Sequence, residues 1–262
     1  MSVTGIIIAA VLVGGTGLII GIALGIAGKV FEVEINEKEV AIRDLLPGNN
    51  CGGCGYAGCD SLAKAIASGE ASVAGCPVGG AFVAAKIGEI MGESAEMVKY
   101  TAYVKCSGDK DSSDNKFTYY GPKTCREAIV VSGGPKGCEY GCVGFGSCVN
   151  VCEFDAIHIE NGVAVVDKDK CTACGKCVSE CPKKLIEIVP YDNNVRVACN
   201  SNNKGKDVKE VCKKGCIGCK LCEKICESDA IHVENNIAHI DYDKCTKCGK
   251  CVEKCPAKII EI

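Results

Sequence analysis

Tryptophan is absent from this chain, and aromatic residues make up only 5% of its 262 positions. Large aromatic side chains bury the most surface in an ordinary core, so something other than a conventional apolar interior must help hold the folded parts together. Histidine is scarce, with three residues (His158, His232, His239), which leaves no His-rich metal site and no evident nucleophile–base set. No phosphate loop of the G-x-x-x-x-G-K-[ST] type is present, and no G-x-G-x-x-G follows a strand-like run. The GGTG at 14–17 lies inside an apolar stretch and carries no meaning for nucleotides. The net charge of −3 and the lack of stacking residues speak against nucleic acid as a partner.

Charge is missing altogether from residues 2–28, SVTGIIIAAVLVGGTGLIIGIALGIAG. Such a run is long enough to cross a hydrocarbon core of roughly 30 Å as a helix. A signal peptide would need a basic segment ahead of it, and none precedes this one. The first charge, Lys29, lies on the C-terminal side and predicts a single pass with the body on the cytoplasmic side of the cell membrane. Thiols stay reduced in that compartment. Gly17, Gly21 and Gly25 form a stripe that lets a partner helix approach closely. Residues 1–28 are therefore read as a transmembrane anchor.

What the chain has in abundance is cysteine, 24 residues in all. The spacing C-x2-C-x2-C-x3-C-P occurs at 171–182 (CTACGKCVSECP) and again at 245–256 (CTKCGKCVEKCP). Three thiols at this spacing turn toward one point, which suits a polynuclear metal centre. Disulfides need paired Cα atoms about 5.5–6 Å apart and gain most from closing long loops. Zinc favours two C-x2-C pairs completing one tetrahedron. Triplets with a distant fourth cysteine match iron–sulfur clusters better than either.

Residues 29–97 read as a linker followed by a small, mostly helical domain with its own four cysteines, Cys51, Cys54, Cys59 and Cys76. An amphipathic helix is expected before Pro47-Gly48, another over 60–71, and a third around AFVAAKIGEIMG. The glycines of CGGCGYAGC let the backbone fold tightly around a centre and offer N–H groups to its sulfides. This set is read as one 4Fe-4S site.

The rest of the chain is duplicated. A shift of 74 residues carries Cys142, Cys148, Cys152, Cys171, Cys174, Cys177 and Cys181 onto Cys216, Cys222, Cys226, Cys245, Cys248, Cys251 and Cys255. The text between agrees, DAIHIENGVAVVDKDKC against DAIHVENNIAHIDYDKC. Each repeat predicts a β-hairpin turning at Asn161-Gly162 or Asn235-Asn236, with His158 and His232 as matching strand residues. The modules are placed at 135–189 and 214–262, with connectors at 98–134 and 190–213. The fold class is α+β.

Each repeat resembles a bacterial two-cluster ferredoxin. In that family three cysteines of one motif bind one cluster and the fourth, before Pro, ligates the other. The resemblance implies Cys216, Cys219, Cys222 and Cys255 for one cluster of the second repeat, and Cys226, Cys245, Cys248 and Cys251 for its neighbour. The first repeat departs from the pattern at GCEYGCVGFGSCVNVC, where Phe145 stands in place of Cys219. The implied sets there are Cys138, Cys142, Cys148 and Cys181, and Cys152, Cys171, Cys174 and Cys177. Cys152 and Cys226 are followed by Glu153 and Glu227 rather than Pro.

The whole order resembles the B subunit of the Rnf complexes, membrane ferredoxin:NAD+ oxidoreductases that pump Na+ or H+. The resemblance rests on the uncharged N-terminal helix, PGNNCGGCGYAGC with Cys76, the variant motif, and the repeats. It implies an electron-transfer subunit of a six-subunit complex that takes electrons from soluble ferredoxin and passes them through five 4Fe-4S clusters toward flavin-bearing partners. NAD chemistry would lie on another subunit. A free-standing membrane-anchored polyferredoxin serving a different oxidoreductase is the alternative. Electrons are expected to cross the repeats before reaching the Cys51–Cys76 site, with ferredoxin docking on the last module.

Four cysteines stand outside this count: Cys106, Cys125, Cys199 and Cys212. By the 74-residue shift Cys125 matches Cys199, and Cys212 matches Cys138. By local text YVKCSG matches RVACNS and TCRE matches VCKK. The second register predicts a further four-thiolate site for a sixth cluster or a zinc; the alternative is four plain thiols, which behave as small hydrophobes.

Overall fold

The computed structural model describes residues 3–30, 36–94 and 98–262. Met1 and Ser2 of the expected anchor, linker residues 31–35 and the boundary expected at residue 97 lie outside the described residues.

The uncharged run forms one helix, α1 (Val3–Val30), with Lys29 in its last turn. Its described large apolar side chains stand exposed, among them Val11, Ile19 and Leu24. A helix apolar on all sides buries itself in lipid or in a partner rather than against its own chain.

The four-Cys domain is built from α2 (Glu37–Leu45), α3 (Cys59–Ala67) and α4 (Gly80–Met91). Asn36 starts α2 by accepting from the Lys38 amide at 3.0 Å. Leu46 is extended, as the approach to Pro47 requires. Gly92 closes α4 in the left-handed region, φ 75°. Ile42, Leu62, Ile66 and Ile87 fill the interior together with Cys59 and Cys76.

The first repeat contains α6 (Ser147–Asn150), the hairpin β2 (Ile157–Glu160) with β3 (Val163–Val166), α7 (Lys176–Glu180) and β4 (Ile186–Pro190). The second contains α9 (Leu221–Ile225), the hairpin β6 (Ile231–Glu234) with β7 (Ile237–Ile240), α10 (Lys250–Lys254) and β8 (Ile260–Glu261). Both hairpins turn where expected, and His158 and His232 are matching strand residues. Left-handed residues recur in register: Asp155 and Asp229 (φ 50° and 51°), Ala173 and Lys247 (56° and 59°), Lys184 and Lys258 (51° and 50°). The duplication is thus a duplication of backbone shape.

The expected connectors are more than spacers. The first carries β1 (Tyr100–Val104), which pairs antiparallel with β4, Tyr100 opposite Pro190. The second carries β5 (Arg196–Val197), which pairs with β8. Each repeat therefore takes its outer strand from the segment ahead of it. Two helices complete these segments, α5 (Cys125–Val130) and α8 (Gly205–Val211).

Each repeat has its own small core in which cysteines count as members. Ile157, Leu185 and Ile186 gather with Cys142 and Cys148, and Ile231, Ile259 and Ile260 with Cys216 and Cys222. The repeats are joined across a polar seam. Tyr103 donates to Glu261 at 3.3 Å and Tyr242 to Glu187 at 3.5 Å, with the Arg196 guanidinium between the two rings.

Candidate iron–sulfur sites

Most of the cysteines gather around shared cavities. In the second repeat Cys216, Cys219, Cys222 and Cys255 line one cavity. Cys226 and Cys245 lie against the same core as Cys251. Burial pushes the Cys251 thiol up, and neighbouring Cys245, Cys248 and Cys226 add to it. Burial opposes ionisation of Cys226 too, but hydrogen bonds from Ser228 and from the amides of Ala230, Ser228 and Ile231 outweigh it and bring that thiol below its ordinary value. In the first repeat Cys152, Cys171, Cys174 and Cys177 line one cavity. These neighbours are residues that the ferredoxin resemblance groups together.

The remaining set of the first repeat departs from expectation. Cys142, Cys148 and Cys181 share their cavity with Cys125, not with Cys138. Burial first, and then Cys142, Cys125, Cys181 and Cys177, push the Cys148 thiol up to about 12. Cys125 opens α5, which Thr124 caps: Thr124 Oγ1 accepts from the Glu127 amide at 3.3 Å and donates to the Glu127 carboxylate at 2.5 Å. The Cys125 amide is then tied to Ser147 Oγ at 2.9 Å, beside Cys148. Phe145, in the place of Cys219, stacks on Tyr119 at 5.5 Å. Cys138 instead lines a separate cavity with Cys106, Cys199 and Cys212. The tetrad expected from the four leftover cysteines thus comes together with Cys138 in place of Cys125. The signals that could have found this were the T-x-x-E helix-cap pattern at 124–127 and the two registers used together.

In the N-terminal domain Cys59 begins α3, and its amide donates to Asn50 Oδ1 at 2.8 Å. Burial pushes the Cys76 thiol up, with smaller contributions from Cys59 and Cys54, while the Gly79 amide donates to its sulfur at 3.3 Å. The Cys51 side faces Lys176 of the first repeat.

These residues fit 4Fe-4S clusters. The donors gathered at these sites are thiols, and amides point at their sulfurs: Ala102 and Ala173 on Cys171 (3.3 and 3.4 Å), Leu185 on Cys181 (3.5 Å), Ala230 on Cys226 (3.3 Å). Such N–H groups neutralise sulfur charge and tune a cluster's potential. Among the described residues, no three His, Cys, Asp or Glu side chains converge tightly enough for a single ion.

Three family models match parts of the chain: "Putative Fe-S cluster" at residues 46–78, "4Fe-4S binding domain" at 164–187 and "4Fe-4S dicluster domain" at 215–259. Among curated relatives, the chain is 50% identical over 251 residues to the B subunit of the Na(+)-translocating ferredoxin:NAD(+) oxidoreductase complex of Acetobacterium woodii, covering 95% of this chain and 75% of the relative. It is 44% identical to the B subunit of the ion-translocating oxidoreductase complex of Methanosarcina acetivorans, covering 95% of each. It is 41% identical to the B subunit of the proton-translocating ferredoxin:NAD(+) oxidoreductase complex of Clostridium ljungdahlii, covering 94% of this chain and 88% of the relative. Among the described residues one helix, over Val11–Lys29, is long and apolar enough to cross a membrane. By identity over nearly its whole length, this chain belongs to the family of B subunits of the ion-translocating ferredoxin:NAD+ oxidoreductase complexes.

Proposed function

We propose that this chain is the iron–sulfur subunit that relays electrons within an ion-translocating ferredoxin:NAD+ oxidoreductase complex. It accepts them from soluble ferredoxin and delivers them to flavin-bearing membrane partners. α1 anchors it in the cell membrane, with the cysteine-bearing body on the cytoplasmic side. The body comprises the four-Cys domain and two tandem modules of two-cluster ferredoxin type.

We assign five ligand sets; the cavities and neighbours described above support them, and for Cys51 the support is its place in the CGGCGYAGC motif. They are Cys51, Cys54, Cys59 and Cys76; Cys152, Cys171, Cys174 and Cys177; Cys125, Cys142, Cys148 and Cys181; Cys216, Cys219, Cys222 and Cys255; and Cys226, Cys245, Cys248 and Cys251. When bound, 4Fe-4S clusters supply one-electron carriers whose potentials the protein sets. The chain's own contribution is to hold the thiolates, aim amides at them, and keep neighbouring sites close.

The observation that supports the relay most is this closeness. Gly53, between Cys51 and Cys54, touches the backbone of Cys174. Lys176, which follows the Cys174 loop, lies in the field of both Cys174 and Cys51 while paired to Glu153. The N-terminal set and the first repeat thus face each other across a contact too tight for intervening side chains.

The test is anaerobic reduction of the purified full chain by reduced ferredoxin, followed by deletion of the chain from native membranes. Bleaching of the visible iron–sulfur absorption by ferredoxin, and loss of ferredoxin-dependent NAD+ reduction on deletion, are expected. Membranes that keep that activity without the chain would overturn the reading.

A further inference from the structure

We infer that Cys106, Cys138, Cys199 and Cys212 hold a sixth 4Fe-4S cluster, and that this cluster joins the two repeats into one electron path. The inference rests on the relay reading above.

The four thiols line a single cavity between the repeats. They are two pairs of equivalents under the duplication. Cys138 and Cys212 stand 74 residues apart. Cys106 follows β1, and Cys199 follows β5. The residues just before them make matching bonds, Lys105 amide to Leu185 carbonyl at 2.8 Å and Ala198 amide to Ile259 carbonyl at 2.7 Å. Cys106 and Cys199 then accept matching bonds in turn. The Cys142 amide donates to Cys106 Sγ at 3.4 Å, and the Cys216 amide donates to Cys199 Sγ at 3.3 Å. A site built from both copies of a duplicated element sits at their junction by construction.

The walls suit a bulky anionic occupant. A Cβ at Gly108 would lie 3.2 Å from Cys212 Sγ and 3.8 Å from Cys106 Sγ, so glycine leaves the thiols room. Lys136 is only 7% exposed, lines the same cavity, and donates to the Gly108 carbonyl. A buried ammonium beside four thiols offsets the negative charge that a thiolate-bound cluster brings. The junction is braced on both sides: Lys214 pairs with Asp109 at 2.9 Å, Ser113 donates to the Val211 carbonyl at 2.8 Å, and the Lys213 amide donates to the Ser112 carbonyl at 2.7 Å.

Position decides between iron and zinc. On one side Cys106 is one hydrogen bond from Cys142, and on the other Cys199 is one hydrogen bond from Cys216. Zinc has no redox chemistry and would leave the two repeats as separate circuits. The step moves one electron and no atoms: the second repeat is oxidised by one electron as the first is reduced by one, and the low-potential iron–sulfur donor of the proposed function supplies it. No proton or bond changes hands.

The test is iron, sulfide and zinc analysis with native mass spectrometry on the full chain, purified anaerobically in detergent. Wild type should carry about 24 irons, at four per cluster. Cys138→Ala and Cys199→Ala should each lose about four irons, and the double variant no more than either alone. Cys125→Ala combined with Cys199→Ala should lose about eight. A wild-type count of about 20, or one zinc lost with Cys199, would overturn the site, and that count needs no variant to fold. The bridging role is read by rapid-freeze paramagnetic resonance after mixing with reduced ferredoxin. In Cys199→Ala the second repeat should be reduced while the Cys125 and Cys51 sets stay oxidised; reduction on both sides at the wild-type rate would overturn it. A chain with six clusters that ferredoxin cannot reduce would defeat the proposed function and leave the sixth site standing.

Discussion

A Cβ placed on Gly53 would lie 2.7 Å from the carbonyl oxygen of Cys174. The two loops meet backbone to backbone, and only a residue without a side chain fits between them. Gly53→Leu should keep the iron content and the reducibility of the repeats. It should slow electron passage into the Cys51–Cys76 set, because the added side chain forces the two loops apart. Freeze-quench spectroscopy of the two sites after rapid reduction would measure this, and unchanged kinetics would remove the contact from the path.

The same contact argues for an order. The N-terminal set lies nearest α1 along the chain, so electrons should cross the repeats first. Cys54→Ser should leave the repeats reducible by ferredoxin yet stop NAD+ reduction by the assembled complex. Normal NAD+ reduction in that variant would reverse the order.

Charge should guide the donor to the far end. Residues 168–262 hold 18 Lys and Arg against 14 Asp and Glu, a net of +4, whereas residues 1–167 hold 12 against 19, a net of −7. Lys247, Lys250 and Lys254 are all exposed around the last cysteine motif, although Lys250 is paired with Glu227. Changing the three to Glu should slow reduction by acidic ferredoxin severalfold at low salt and matter little at high salt, because charge steering is screened. A salt-independent rate in the parent chain would exclude electrostatic docking here.

Two equivalent glycines predict a graded effect on stability. Gly144 has φ +82°, and a Cβ there would lie 2.6 Å from the Gly162 carbonyl oxygen; Gly218 has φ +64°, with the Asn236 oxygen at 3.1 Å. Both face a hairpin turn across a cysteine loop. Gly144→Ala should cost about 2 kcal/mol or more, the left-handed strain plus a clash, and Gly218→Ala about 1 kcal/mol. Thermal unfolding of the iron-loaded chain would rank them, and an equal effect would discard the clash argument.

Metal removal should unfold the repeats selectively. Their cores hold few large side chains, and cysteines such as Cys142, Cys148, Cys216 and Cys222 are members of them. Where so little apolar surface is buried, metal binding supplies folding free energy. Anaerobic chelation should abolish the strand signal of 98–262 while α1 stays helical in detergent. Retention of the hairpins without iron would show that the cores suffice.

Features governed by short-range geometry were legible in the order of residues alone. The uncharged run of 2–28 dictated α1, since a long apolar stretch has few other ways to satisfy its backbone in lipid. Asn161-Gly162 and Asn235-Asn236 dictated the hairpins, because their residues tolerate positive φ. The C-x2-C-x2-C spacing gathered Cys171, Cys174 and Cys177, and its copy at 245–251, because turns of fixed size aim those thiols together.

Which distant cysteine completes each group is a matter of long-range packing. The spacing of Cys138 and Cys142 looks like one motif, yet Cys142 turns toward Cys125, Cys148 and Cys181 while Cys138 faces Cys106, Cys199 and Cys212. The choice depends on the Thr124 helix cap and the Ser147 bond that hold Cys125 in place, and on two connector strands, β1 and β5, that set Cys106 and Cys199 at the seam. Those pairings join residues far apart in sequence: β1 finds β4 across more than eighty intervening residues, and the Ala102 amide reaches Cys171 Sγ across a separation of 69. No local spacing encodes such a match. It is chosen by which surfaces bury one another when the chain closes on itself, and that is a property of the packed whole.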